Sequence, residues 1–203
     1  MRNNIKINPK LNIPKLEGVY SEPITIRVNK FDEENLTNFT NDFEDAVNTG
    51  QPVIPIVIDS YGGSCYGVIG MINLIETSPV PIATILMSKA MSAGAILFCF
   101  GTDGYRYMHP EATLMIHDAG SGSHGKVEEM KVDVNQLDDL NQRIYKRASK
   151  HLGHDPSYLG KLIKEHHHVD WFLNSQEAKK HKIANHLKLP NFNIEIELKV
   201  SFG

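Results

Sequence analysis

The sequence predicts an α/β fold with a mainly parallel sheet and crossover helices. Three observations carry this reading. Apolar runs of strand length alternate with segments at helical spacing over most of the chain. The runs at 53–59 and 82–87 are almost wholly apolar, as in buried strands. A chain of 203 residues, 41% hydrophobic, suffices for one domain with a sizeable core.

The elements follow in order. Residues 1–22 are polar, with Pro9 and Pro14 and then Pro23, and are expected to form an extended arm. Residues 24–28 form a strand. Residues 32–48 form a helix with Phe39, Phe43 and Val47 at helical spacing, ended by Gly50-Gln51-Pro52. The strand 53–59 runs into Gly62-Gly63, and a helix covers 66–76. The strand 82–87 leads through Ser88-Lys89-Ala90-Met91-Ser92-Ala93-Gly94-Ala95 into the apolar helical run 95–100. Arg106–Met108 and Thr113–Ile116 are short strands. A long polar helix follows at 126–152. Its stripe of Val127, Met130, Val134, Leu137, Leu140, Ile144 and Ala148 is of the kind that packs on its own domain. Gly153 ends it. Asp170 precedes the apolar Trp171-Phe172-Leu173. At 192–202, Phe192, Ile194, Ile196, Leu198, Val200 and Phe202 alternate with polar residues, which predicts a half-buried strand. Such a strand needs an edge to pair with, in its own sheet or a neighbour's.

Composition narrows the function. A net charge of −3 gives no electrostatic case for nucleic acid or an anionic membrane. Cys65 and Cys99 lie in apolar or small-residue contexts and imply no disulfide framework, which suits a reduced, cytoplasmic protein. The N-terminus has no apolar h-region, so no signal peptide is expected, and no apolar run approaches the roughly 18 residues of a membrane span.

The chemistry centres on Ser92. It falls at a strand-to-helix turn among small residues, where backbone N–H groups favour developing negative charge. A capping serine is the plain alternative. Downstream, His117 ends an apolar strand. Upstream, the Gly62-Gly63 backbone can approach a ligand closely and donate to an oxyanion. Asp170 supplies a carboxylate. Serine, histidine and aspartate are the parts of a nucleophile, its base and the group that orients the base. The rivals are weaker. His124, in a glycine-rich loop, is expected at the surface. Three consecutive residues, His166-His167-His168, cannot all face one metal ion on a regular element. Lys89 allows a Ser–Lys dyad, but a loop lysine is usually solvated. Ser64 suits stabilising the turn beside it. Asp118 is adjacent to His117, so its side chain is expected on the opposite face of the strand.

These motifs, in this order, resemble the proteolytic subunit of the Clp protease, the ClpP family, over roughly residues 22–187. The family's Ser-Pro-Gly-Gly loop stands here as Ser60-Tyr61-Gly62-Gly63. Its nucleophile motif stands as Met91-Ser92-Ala93-Gly94-Ala95, and its Met-Ile-His as Met115-Ile116-His117. Its Arg-Asp segment stands as Val169-Asp170, followed by Phe172-Leu173 and Glu177-Ala178. The resemblance implies a ClpP/crotonase-like fold with a long handle helix, and a peptidase domain over 23–188. It implies Ser92 as nucleophile, His117 as base, Asp170 as orienter, and Gly63 and Ala93 amides as the oxyanion hole. It implies no metal and no cofactor. It also implies a homo-oligomer of stacked heptameric rings, fed with unfolded protein or peptides by a AAA+ unfoldase, with part of the handle stripe facing a partner.

The chain departs from the family at several places. Tyr61 replaces a proline, Ala93 a methionine and Val169 an arginine. The segment from Gly153 to Asp170 is longer, so Asp170 is assigned on its local motif. Pro55 and Val57 stand where the family has docking-pocket tyrosines, although Tyr107 keeps an aromatic at another pocket position. The arm at 1–22 is dissimilar, and the strand within 189–203 is additional. Two other readings stand beside the peptidase: a crotonase-type acyl-CoA enzyme, which would not need Ser92 and Asp170 here, and an inactive ring subunit.

Overall fold

A computed structural model describes residues 22–120 and 125–191. The expected arm short of Glu22, His124 and the expected strand at 192–202 lie outside the described residues.

One six-stranded sheet organises the described chain. β1 (Ile26–Val28) is followed by α1 (Glu33–Asn48), β2 (Ile54–Ser60), α2 (Cys65–Glu76), β3 (Ile82–Met91) and α3 (Ala93–Cys99). Then come β4 (Arg106–Met108), β5 (Thr113–Ile116), α4 (Val127–His151), α5 (Tyr158–Glu165), β6 (Trp171–Leu173) and α6 (Ser175–Lys180). The sheet order is β1-β2-β3-β5-β6, with β4 also on β3. Every pairing is parallel except β5 with β6. The mainly parallel α/β fold expected from the sequence is present.

Local chemistry explains the elements. Asp32 caps α1, its Oδ1 accepting from the Asn35 amide at 2.8 Å, with Glu33 and Glu34 favourable in the first turn. α1 buries Phe39 and Phe43 and α2 buries Val68, Met71, Ile72 and Ile75 in the core they share with the sheet. β2 is buried at all positions but Asp59, as parallel strands covered on both faces are. α3 is buried along its whole length. Arg106, 1% exposed, donates to the carbonyls of Gly101, Lys182 and Ile183 and to Asp103, tying the 182–186 segment to β4.

The structure corrects several sequence expectations. β1 starts at Ile26 rather than at residue 24, and α2 begins at Cys65. β3 continues past residue 87 to Met91, so Lys89 lies in a strand and not in a loop. Its polar outer residues face away from the core while its backbone still finds β5, through Lys89, Ala90 and Met91. α3 covers Ala93–Cys99, starting two residues early, directly after Ser92. The sequence reading assigns no element at α5, β6 or α6; β6 and α6 are too short to show a periodic signal, whereas α5 carries Leu159, Leu162 and Ile163 at helical spacing. The α4 stripe is divided. Leu140, Ile144 and Ala148 are buried, but Val127, Met130 and Val134 are exposed at 67%, 39% and 61%. Only the second half packs on its own domain. Among the described residues, no helix is long and apolar enough to cross a membrane.

Candidate active site

Strand register assembles the site. Met91 of β3 lies opposite Met115 of β5, so the residues following both strands emerge at the same end of the sheet. The Ser92 amide continues that ladder, donating to the Met115 carbonyl at 2.8 Å. Antiparallel β6 sets Trp171 opposite Ile116, so the next pair out is His117 and Asp170. Ser60 at the end of β2 faces Ala90, which brings the 61–63 loop beside Ser92.

Ser92 has φ 54° and ψ −122°. A residue with a Cβ pays about 1–3 kcal/mol for such backbone, and strain of this kind collects at functional sites. The turn from β3 into α3 lifts the side chain out of the strand. Its hydroxyl makes no capping hydrogen bond, so the plain capping reading lacks its bond. Ser64 does act as a cap, accepting from the Gly67 amide at 3.3 Å.

Gly62 and Gly63 have φ of +107° and +151°. A Cβ on Gly62 would lie 2.7 Å from Ser92 Cβ and 3.2 Å from Ser92 Oγ; one on Gly63 would lie 2.6 Å from the Phe31 carbonyl oxygen. The loop is therefore wedged between Phe31 and Ser92. It is pinned by Ser60 Oγ, which accepts from the Gly62 amide at 3.0 Å, and by the Ser64 amide, which donates to Phe31 O at 2.6 Å. Among the hydrogen bonds of the described turns and loops, none is donated by the Gly63 or Ala93 amide. The Phe31 contact carries no motif signal in the sequence.

The wedge leads to a prediction. Gly62→Ala is expected to displace Ser92 and to lower any Ser92-dependent hydrolysis by about 10²-fold, the cost of roughly 1 Å of misplacement. Gly104→Ala is the control, because Gly104 has φ +83° but open space around it. It should lower the melting temperature and leave kcat alone. Equal activity losses in the two variants would show strain rather than crowding at work.

His117 Nδ1 lies 3.3 Å from Asp170 Oδ1, with the side chains 33% and 54% exposed. Asp118 does not compete for that imidazole; it contacts Tyr145 and His168 instead. Tyr145 also donates to the His117 carbonyl at 2.8 Å, and burial pushes its phenol well above the usual range. Tyr145 escaped the sequence reading because it sits beside, not on, the α4 stripe.

The remaining candidates fall elsewhere. Lys89 Nζ contacts Asp59 Oδ1 at 2.6 Å and lies 4.6 Å from the centre of the Tyr61 ring. The bond to Asp59 holds this ammonium above its ordinary range, which opposes use as a general base. His166 stacks on Trp171 while His168 pairs with Asp118, so the three consecutive histidines do not converge. Among the described residues, no group of three or more His, Cys, Asp or Glu could hold a metal ion. Both cysteines are free, and burial pushes the Cys99 thiol up to about 12.

Comparison with known proteins gives the chain's relatives. Residues 44–188 match the family described as Clp protease. The chain is also similar to the ATP-dependent Clp protease proteolytic subunit 1 of Salinibacter ruber, at 26% identity over 151 residues. That alignment covers 74% of this chain and 63% of the relative, so the chain spans somewhat under two thirds of the relative's length.

Proposed function

We propose that this chain, which belongs to the Clp protease family, is a serine-type endopeptidase. The observation that carries the proposal is the shared sheet end. Strained Ser92, the close Gly62-Gly63 loop and the His117–Asp170 contact meet there through the register of β2, β3, β5 and β6.

In this reading Ser92 Oγ attacks a peptide carbonyl carbon while His117 Nε2 takes the hydroxyl proton. Asp170, at Nδ1, fixes the imidazole tautomer and stabilises the imidazolium. The Gly63 and Ala93 amides donate to the oxyanion. The imidazolium then protonates the leaving amine as the C–N bond breaks. A water attacks the acyl-enzyme and gives a proton to His117, which passes it to Ser92 Oγ as the acyl C–O bond breaks and the carboxylic product leaves.

A further part of the proposal is self-assembly into rings, with an ATP-dependent unfoldase as supplier of unfolded chains. Support comes from the exposed front half of α4. Val127, Met130 and Val134 form an apolar row in water, and covering such side chains contributes roughly 1.5–3 kcal/mol each when burial is complete.

A fluorophosphonate probe tests the chemistry. One phosphonyl group per chain is expected, mapped by peptide mass to Ser92. Labelling at Ser64 would overturn the assignment in favour of that rival nucleophile, and none on a folded chain would favour a subunit without its own peptidase activity.

A further inference from the structure

Two His–Asp contacts cross between the same two chain ends, and only one of them takes part in the reaction proposed above. His117 Nδ1 meets Asp170 Oδ1 at 3.3 Å. The next residue, Asp118, is held more tightly, its Oδ2 lying 2.7 Å from His168 Nδ1. Its other oxygen lies 3.0 Å from the Tyr145 hydroxyl, which is also 2.8 Å from the His117 carbonyl oxygen. An ionised carboxylate only accepts. The imidazole Nδ1–H and the phenol O–H are therefore the donors; the phenol's single proton is shared between Asp118 and the His117 carbonyl, and burial keeps it in place. Asp118 thus joins three pieces: the end of β5, helix α4 and the segment that leads into β6.

That segment has an unusual backbone. His167 and His168 both have positive φ, 56° and 59°, without being glycine. Side-chain-bearing residues persist in this region only where their surroundings over-determine them. Two main-chain bonds contribute, from the His167 amide to Lys164 O and from the His168 amide to Ile163 O, both 3.0 Å. The His166 ring stacked on Trp171 and the Val169 amide donating to the His166 carbonyl add to these, and Asp118 restrains the His168 side chain itself. His168 lies two residues before Asp170, and Asp118 lies one after His117. Their contact, between side chains 58% and 30% exposed, therefore ties the segment just before Asp170 to the residue just after His117. Asp170 itself is 54% exposed and makes the looser of the two contacts.

We propose that His168 is a positioning residue. Bonded to Asp118, which Tyr145 braces, it clamps the 166–170 segment to the end of β5 and holds Asp170 against His117. This rests on the reading of Ser92, His117 and Asp170 as one reactive set. Without the clamp, Asp170 turns toward water and the imidazole loses its orientation.

The test is steady-state hydrolysis of a short fluorogenic peptide by the full chain. It uses His168→Ala, His168→Asn, Asp118→Ala and the double variant His168→Ala/Asp118→Ala, with Ser92→Ala as control. His168→Ala is expected to lower kcat about tenfold with KM unchanged, the effect of a modest misplacement. His168→Asn, whose amide N–H can reach the same carboxylate, is expected to recover most of that loss. The double variant should be no slower than the worse single one, because the two residues act through each other. Wild-type kcat in His168→Ala, while Ser92→Ala is inactive, overturns the clamp alone. Additive losses, or an Asn variant as slow as the Ala variant with a matching fall in melting temperature, overturn it as well, since these mark a structural contact. Activity retained in Ser92→Ala overturns the underlying reading instead.

Discussion

Ser92→Ala is expected to lower peptide hydrolysis by roughly 10³- to 10⁶-fold, with residual turnover left to oxyanion donors and binding. The fold should survive intact. The Ser92 hydroxyl makes no capping hydrogen bond, so its removal leaves no buried partner unsatisfied. Alanine keeps the Cβ, so the backbone strain at φ 54° is unchanged between the two chains. The melting temperature should therefore move little while activity collapses, and fluorophosphonate labelling should vanish with it. Peptidase activity near the wild-type level in a purified variant would remove Ser92 from the mechanism. The oxyanion loop would then have to serve a different nucleophile.

Much of this site was legible in the sequence because it depends on strand order and register. Ser92, His117 and Asp170 each flank an apolar run. Once those runs pair in parallel or antiparallel, the residues just past their ends emerge at one end of the sheet. The 153–170 segment passes through α5 and the two left-handed histidines before it reaches β6. What stayed hidden are contacts that obey no period. Phe31 against Gly63 is a loop packed on a loop. His168 on Asp118 spans 50 residues and depends on a backbone that only tertiary contacts stabilise. The α4 stripe shows the reverse limit. Periodicity gave its apolar face correctly, but periodicity is blind to what lies opposite, and only the half from Leu140 onward meets the core.

Asp170→Asn separates the orienter from its neighbour. The amide is nearly isosteric with the carboxylate but can offer an N–H where His117 Nδ1 needs an acceptor. Nδ1 would then accept, the proton would sit on Nε2, and that nitrogen could no longer take the Ser92 proton. In a serine protease with a buried aspartate this tautomer error costs about 10⁴ in kcat, equivalent to about 5.4 kcal/mol of barrier. Here the contact is 3.3 Å and Asp170 is 54% exposed. Water can partly restore the useful tautomer, so a loss of about 10² to 10⁴ in kcat is expected, with KM little changed. Asp118→Asn keeps one acceptor oxygen, enough for either His168 or Tyr145 but not both, and should cost about tenfold or less. The order of the two effects is the discriminating quantity, measured on the same peptide with folding checked by thermal unfolding. Were Asp118→Asn the slower enzyme, the carboxylate that orients His117 in turnover would be Asp118. The contact to Asp170 would then be only a surface ion pair, worth about 0–1 kcal/mol.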